Sequence, residues 1–216
     1  MPHLLGQVVV IAPPYCPRLG IPFAYDPGPG ILSMQAIADP PAYSRARAAV
    51  RYDDVARKLV HAFKYGDRLD LSPLLGRWMT RAGCELFDGA DALVPVPLHW
   101  RRLAKRRYNQ AAVLAHAIAK KHKLRVDTAS LQRPRASISQ GEMPSARARL
   151  KNVARAFTVS DAQKERIRGR RILLVDDVLT TGATLNACAK ALKRAGAASV
   201  SAVTLARVVR PLSPSL

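Results

Sequence analysis

No run of about 18 apolar residues occurs in the 216-residue chain, so no segment is expected to span a membrane. Cysteine is scarce. Cys16, Cys84 and Cys188 are odd in number and widely spaced, which argues against a disulfide framework and for reduced thiols in a cytoplasmic protein. Acids are few as well: fifteen Asp and Glu face thirty-five Lys and Arg, a net charge of +20 that favours a polyanionic partner. A small charged ligand needs only a few cations, so this surplus leans towards nucleic acid as well. The start of the chain lacks a basic n-region and a small-residue cleavage site, so no signal peptide is read there. The Gly-Lys-Ser/Thr ending of a P-loop is also missing. What remains, at 49% hydrophobic residues, fits one soluble α/β domain with a small appendage.

The most informative stretch runs from Ile172 to Thr184. Ile172-Leu173-Leu174-Val175 reads as a short strand buried on both faces, of the kind found in parallel sheets flanked by helices. Two carboxylates, Asp176 and Asp177, are expected where it ends. After Val178 and Leu179 come Thr180, Thr181, Gly182, Ala183 and Thr184, then an Ala/Leu-periodic run from Leu185 to Ala195 that reads as a helix closed by Gly196. Ligands of open α/β sheets bind beyond the carboxyl ends of strands, and a helix N-terminus offers free N–H groups to an anion. The pattern suits a sugar phosphate: hydroxyls and N–H groups for the phosphate, and two acids for vicinal ribose hydroxyls, directly or through a metal's water shell.

A second stretch starts at Asp91. Pro95 and Pro97 must lie where its strand leaves the sheet, because neither can donate to a ladder. Leu98, His99 and Trp100 follow, then Arg101, Arg102, Lys105, Arg106 and Arg107, five cations in seven residues, before Tyr108-Asn109-Gln110 opens a helix to about Lys121. A strand-to-helix turn so charged is an anion site by position and by charge. The helix should bury Val113, Leu114, Ala117 and Ile118.

These residues carry a resemblance. The apolar strand followed by Asp-Asp-x-x-Thr-Thr-Gly-x-Thr resembles the phosphoribosyl pyrophosphate (PRPP) signature of type I phosphoribosyltransferases. Together with Pro-Val-Pro-Leu and Arg-Arg-Tyr-Asn-Gln it is similar to the ComF family of competence-associated phosphoribosyltransferase-like proteins, over about Cys16 to Arg207. The resemblance implies a type I phosphoribosyltransferase fold, a mostly parallel sheet flanked by helices, over residues 45–210. It implies PRPP with its 5-phosphate on residues 180–184, its ribose on Asp176 and Asp177, and its pyrophosphate between Leu98–Arg102 and a loop at 133–152 that carries Arg133, Gln140 and Arg147. Magnesium would come with PRPP and need no direct protein ligand. Phosphoribose would pass to a nitrogen acceptor. The alternative is a non-enzymatic protein that binds single-stranded DNA in competence, with PRPP as a regulatory ligand and with Lys105, Arg106, Arg107 and Tyr108 on the nucleic-acid track.

Residues 1–44 are broken by Pro13-Pro14, Pro22, Pro27-Gly28-Pro29-Gly30 and Pro40-Pro41 and read as an irregular appendage. Cys16-Pro-Arg-Leu19-Gly20-Ile-Pro22-Phe23 resembles half of a zinc knuckle, with Leu19, Ser33 and Ala36 where further cysteines belong. A structural zinc needs four N or S ligands, so no zinc is expected. No acceptor pocket can be assigned to residues 1–50 from sequence. Of the remaining elements, Arg45–Arg51 reads as a strand, and Asp53 or Asp54 as the cap of a helix burying Val55, Leu59, Val60 and Phe63. Lys64-Tyr65-Gly66 ends that helix, with Tyr65 as a packing residue. Ser72-Pro73 should open the next helix as cap and N1 proline, burying Leu74, Leu75, Trp78, Met79 and Leu86. Cys84 and Cys188 are expected in the core, Val126–Leu131 as a strand, Lys164–Arg171 as a solvated basic face, and Ser199–Ala206 as the last strand.

Overall fold

The computed structural model describes residues 6–134 and 156–209. A five-stranded parallel sheet runs in the order β1 (Ala46–Arg51), β7 (Ser199–Arg207), β6 (Arg171–Leu179), β2 (Ala92–Pro95), β3 (Arg125–Val126). Alternate side chains of β6 enter opposite cores, which is why its apolar run is unbroken: Ile172 and Leu174 join one cluster, Leu173 and Val175 the other. The first cluster is covered by α8 (Ala183–Arg194), by Ile167 of α7 (Asp161–Ile167) and by the N-terminal segment. The second is covered by α2 (Asp54–Tyr65), α3 (Ser72–Ala82), α4 (Cys84–Phe87) and α6 (Gln110–His122).

Local chemistry explains most boundaries. Asp53 caps α2 by accepting a hydrogen bond from Ala56 N at 2.8 Å, and Ala56, Leu59, Val60 and Phe63 form the buried face, with Val55 only half-buried. Ser72 does not cap α3. A 3₁₀ turn at Leu69–Leu71 runs straight into that helix, so Ser72 is already helical and no side chain caps the entry. Leu75 and Met79 are fully buried, whereas Leu74 and Trp78 sit half-buried at the edge of the stripe. Cys188 is buried in α8, but Cys84 is exposed, because Leu86 and Phe87 take the inward positions of the single-turn α4. The strand expected over Val126–Leu131 is two. Asp127 accepts from Ala129 N and Ser130 N and turns the chain, so β3 edges the main sheet while β4 (Leu131–Gln132) pairs antiparallel with β5 (Thr158–Val159).

The N-terminal segment is sewn onto this frame. Val10 bridges Val50 of β1. A knuckle follows, in which Cys16 N donates to Ile21 O and Gly20 N to Cys16 O, each at 2.8 Å. The Cys16 sulfur accepts from Leu19 N (3.5 Å) and Ser33 N (3.4 Å), an arrangement that would suit a metal thiolate. Leu19 and Ala36 are instead packed beside it in the apolar core, and the Ser33 hydroxyl is engaged with Ala36 N at the start of α1 (Met34–Ala38). One sulfur among two apolar side chains and a capping hydroxyl is not a donor set for zinc. Two buried arginines hold the knuckle: Arg47 donates to Pro17 O (2.9 Å) and pairs with Glu85 (2.6 Å), and Arg207 donates to Leu19 O (2.6 Å).

Candidate functional site

β6 does not stop before its acids. β7 continues to pair with it through Asp176↔Thr204 and Val178↔Ala206, so Asp176–Leu179 stay extended while β2 has ended at the Pro95↔Val175 pair. Asp176 and Asp177 thus project from strand that has a neighbour on one side only, and both face a cavity of about 280 Å³. Asp176 Oδ1 accepts from Asp177 N at 2.9 Å. Burial, and then the charge of Asp177, push the Asp176 carboxyl up to about 8, against the opposing pull of Lys64 and Arg133. Asp177 is ion-paired with Lys64 Nζ at 2.9 Å, both side chains being mostly buried.

The threonine-bearing loop closes the same cavity. Val178, Thr180 and Thr184 line it, while Leu179 is buried in the core. Gly182 sits at φ 84° as the N-cap of α8, and a side chain there would press on the Tyr43 hydroxyl. Thr181 Oγ1 accepts from Ala183 N at 3.4 Å, Ala183 begins the helix, and Leu185, two residues on, is buried.

The opposite wall is cationic. After Pro95 the chain gives one last hydrogen bond, Val96 N to Val175 O, then Pro97 and Leu98 line the cavity. The expected turn at 99–107 contains a helix, α5 (Trp100–Arg106), which presents Arg102 and Arg106 to the cavity. His99 is buried and caps α5, its Nδ1 accepting from Arg101 N at 3.3 Å; burial and then Arg101, Arg133 and Arg102 hold its pKa down. Arg101 turns away from the cavity onto the exposed face of Trp100, 5.3 Å from the ring centroid. Arg107 takes the left-handed C-cap and reaches Asp67 at 3.9 Å on the surface. Arg133 lines the cavity and lies over the Phe157 ring. Gln140 and Arg147 lie outside the described residues.

The Tyr108-Asn109-Gln110 run has an internal role that its sequence did not announce. Tyr108 OH donates to Phe63 O (2.6 Å), Asn109 Nδ2 to Val96 O (3.1 Å), and Gln110 Nε2 to Lys64 O (3.2 Å). Asn109 also caps α6. These bonds tie the end of α2 to the cationic wall. Lys64 and Tyr52 join the cavity from elements read only as fold, and nothing short of the strand order could have brought them there. Tyr65, expected to pack, is half exposed and takes Arg106 over its ring and on its hydroxyl.

A larger, more apolar cavity of about 540 Å³ adjoins at Thr180. Its walls are Phe23, Tyr25, Ile31, Leu32 and Met34 of the N-terminal segment, with Thr181 and Val208 opposite. Residues 1–50 therefore do supply a pocket beside the site, assembled from side chains that no periodicity links.

The model of the phosphoribosyl transferase domain matches residues 103–214, more than half of the chain. The DNA utilization protein YhgH of Salmonella typhimurium (strain LT2) is 30% identical over 202 residues, covering 90% of this chain and 84% of that protein. Competence protein ComFC of Bacillus subtilis (strain 168) is 29% identical over 165 residues, 74% of this chain and 63% of that one. The chain belongs to the ComF family and carries a phosphoribosyl transferase domain. Among solved structures, glutamine PRPP amidotransferase from B. subtilis complexed with ADP and GMP is 20% identical with a TM-score of 0.42, covering 66% of this chain and 30% of that one. In this ComF-family protein no helix among the described residues is long and apolar enough to cross a membrane.

Proposed function

We propose that this protein binds PRPP and transfers its phosphoribosyl group to a nitrogen acceptor. The observation that carries the reading is convergence: two adjacent acids, a hydroxyl-bearing loop at a helix N-terminus and a wall of arginines line one cavity beyond the carboxyl end of a parallel sheet. Asp176 and Asp177 accept from the ribose hydroxyls. Residues 180–184 hold the 5-phosphate, and Arg102 and Arg106 face the pyrophosphate. As the C1–O bond breaks, its electron pair leaves with pyrophosphate; a nitrogen lone pair forms the new C1–N bond, and the nitrogen's proton passes to solvent. The arginines stabilise the departing charge. Two carboxylates, one already paired with an ammonium, leave a cation most of its ligands from the pyrophosphate, the ribose and water, which suits magnesium and would add positive charge at the leaving group.

Calorimetry with magnesium and PRPP tests the first half: saturable binding that is lost in the Asp176→Ala, Asp177→Ala double variant supports it, and retained affinity refutes it. Pyrophosphate release in a screen of nitrogen heterocycles tests the second.

One observation favours a second reading, single-stranded DNA binding without catalysis. Trp100 is exposed at the start of α5 with Arg101 over its face, an aromatic platform that already carries a cation. The curated relatives include proteins named for DNA utilization and competence. Strand-induced quenching of Trp fluorescence that is steeply salt-dependent and lost in Trp100→Ala, with no pyrophosphate release under any acceptor, favours this reading over the first.

A further inference from the structure

Lys64 stands out from the other cations of the site because it already holds a carboxylate. Its ammonium is 2.9 Å from Asp177 Oδ2, and both side chains are shielded, with 17% and 13% exposure. The pair cannot be dismissed as a solvated contact, and it occupies one of the two acids read as ribose acceptors. A neutral hydroxyl gains full access to that oxygen only when the ammonium yields it.

The backbone beneath Lys64 is held firmly, and its head is carried on a flexible stem. α2 ends one residue later, and its last carbonyls are taken up by the cationic wall: Phe63 O by Tyr108 and Lys64 O by Gln110. The end of a helix also favours a cation by its dipole. Four methylenes then carry the ammonium as a compact charge that can change partner without backbone movement. Its new partner is close at hand, since Lys64, Arg102 and Arg106 line the same cavity.

We infer that Lys64 is a ligand-exchange residue, which neutralises Asp177 in the empty site and passes its ammonium to an anionic oxygen of the pyrophosphate when ribose hydroxyls take the carboxylate. The inference rests on the PRPP reading and adds to it a residue outside the signature and outside the arginine wall. Charge is conserved in the exchange: an ammonium–carboxylate contact is replaced by an ammonium–pyrophosphate contact, and the carboxylate gains hydroxyl donors. Ribose 5-phosphate, which has no pyrophosphate, gives the ammonium no destination.

The two ligands therefore report differently on Lys64. Magnesium-saturated calorimetry of PRPP and of ribose 5-phosphate would be run on the full chain as wild type, Lys64→Met and Lys64→Arg, with circular dichroism on each. In Lys64→Met the PRPP affinity is expected to fall at least tenfold while that for ribose 5-phosphate is unchanged or higher, since a competitor for Asp177 has gone. Lys64→Arg should keep most of the preference for PRPP. An equal loss for both ligands in Lys64→Met makes Lys64 structural and overturns the inference, as does a gain for both, which would make it only a competitor. Wild-type protein that binds neither ligand overturns the PRPP reading itself, and this inference with it.

Discussion

Replacing Asp176 with Asn should stabilise the unliganded protein while destroying its ligand binding. The folded chain raises the Asp176 pKa from 3.8 to about 8, first through burial and then through the charge of Asp177. Between those values the native state retains a proton that the unfolded chain has released, so stability falls as pH rises through about 4 to 8. At pH 7 the window already crossed is a little over three pH units, which at about 1.4 kcal/mol each comes to about 4 kcal/mol. Asn keeps an oxygen for the Asp177 N–H and has no proton to lose. Asp176→Asn is therefore expected to gain up to about 4 kcal/mol at pH 7, or roughly 10 °C in Tm for a chain of this size. The gain should shrink towards zero near pH 4. Thermal unfolding by circular dichroism at pH 4.5, 6, 7 and 8 measures it. A variant no more stable than wild type at pH 7, or a gap independent of pH, would refute the account of Asp176 as a carboxyl held against its solvation.

The same carboxyl predicts a proton count. If ribose hydroxyls draw it into the charged form, PRPP binding at pH 7 should release close to one proton, seen as a difference in calorimetric enthalpy between phosphate and Tris buffers; an enthalpy independent of buffer would refute it. Gly20→Ala should cost at least about 2 kcal/mol, because Gly20 holds φ 66° and a Cβ there would collide with the Ala46 carbonyl; an unchanged denaturation midpoint would mean the knuckle does not rest on β1 as described. Leu19→Cys, Ser33→Cys and Ala36→Cys together should convert the knuckle into a zinc site with Cys16, read by stoichiometric cobalt binding with a thiolate charge-transfer band. Failure to bind would show that these four positions do not converge.

The fold was legible where one rule decided it. Four apolar residues in a row at 172–175 meant a strand covered on both faces, and alternate packing into two cores bears that out. Pro95 and Pro97 marked where the chain leaves the sheet, β2 ending at Pro95 and Val96 giving the last hydrogen bond. Boundaries failed where tertiary pairing overrode the local signal: β7 draws Asp176–Leu179 into β6, a 3₁₀ turn supplants the Ser72 cap, and Asp127 splits an expected strand. At the site, sequence put the acids, the threonine loop and the arginines within one motif-bearing stretch each. It could not reach Lys64, because only the order β1-β7-β6-β2 sets the end of α2 beside Asp177. The apolar cavity stayed hidden for a related reason, being built from irregular chain with no period to read. Arg47 and Arg207 look like ordinary strand charges until their carbonyl partners in the knuckle are seen.

The two prolines after β2 have a consequence for how the protein could change. Because β2 halts at Pro95 while its neighbour runs on, the cavity takes up the space that the next residues of β2 would have occupied. Under the PRPP reading, the sheet would in effect be completed by its ligand. Any change that let β2 grow by two or three residues would close the doorway and satisfy the open edge in a single step, trading an occupant that comes and goes for permanent strand.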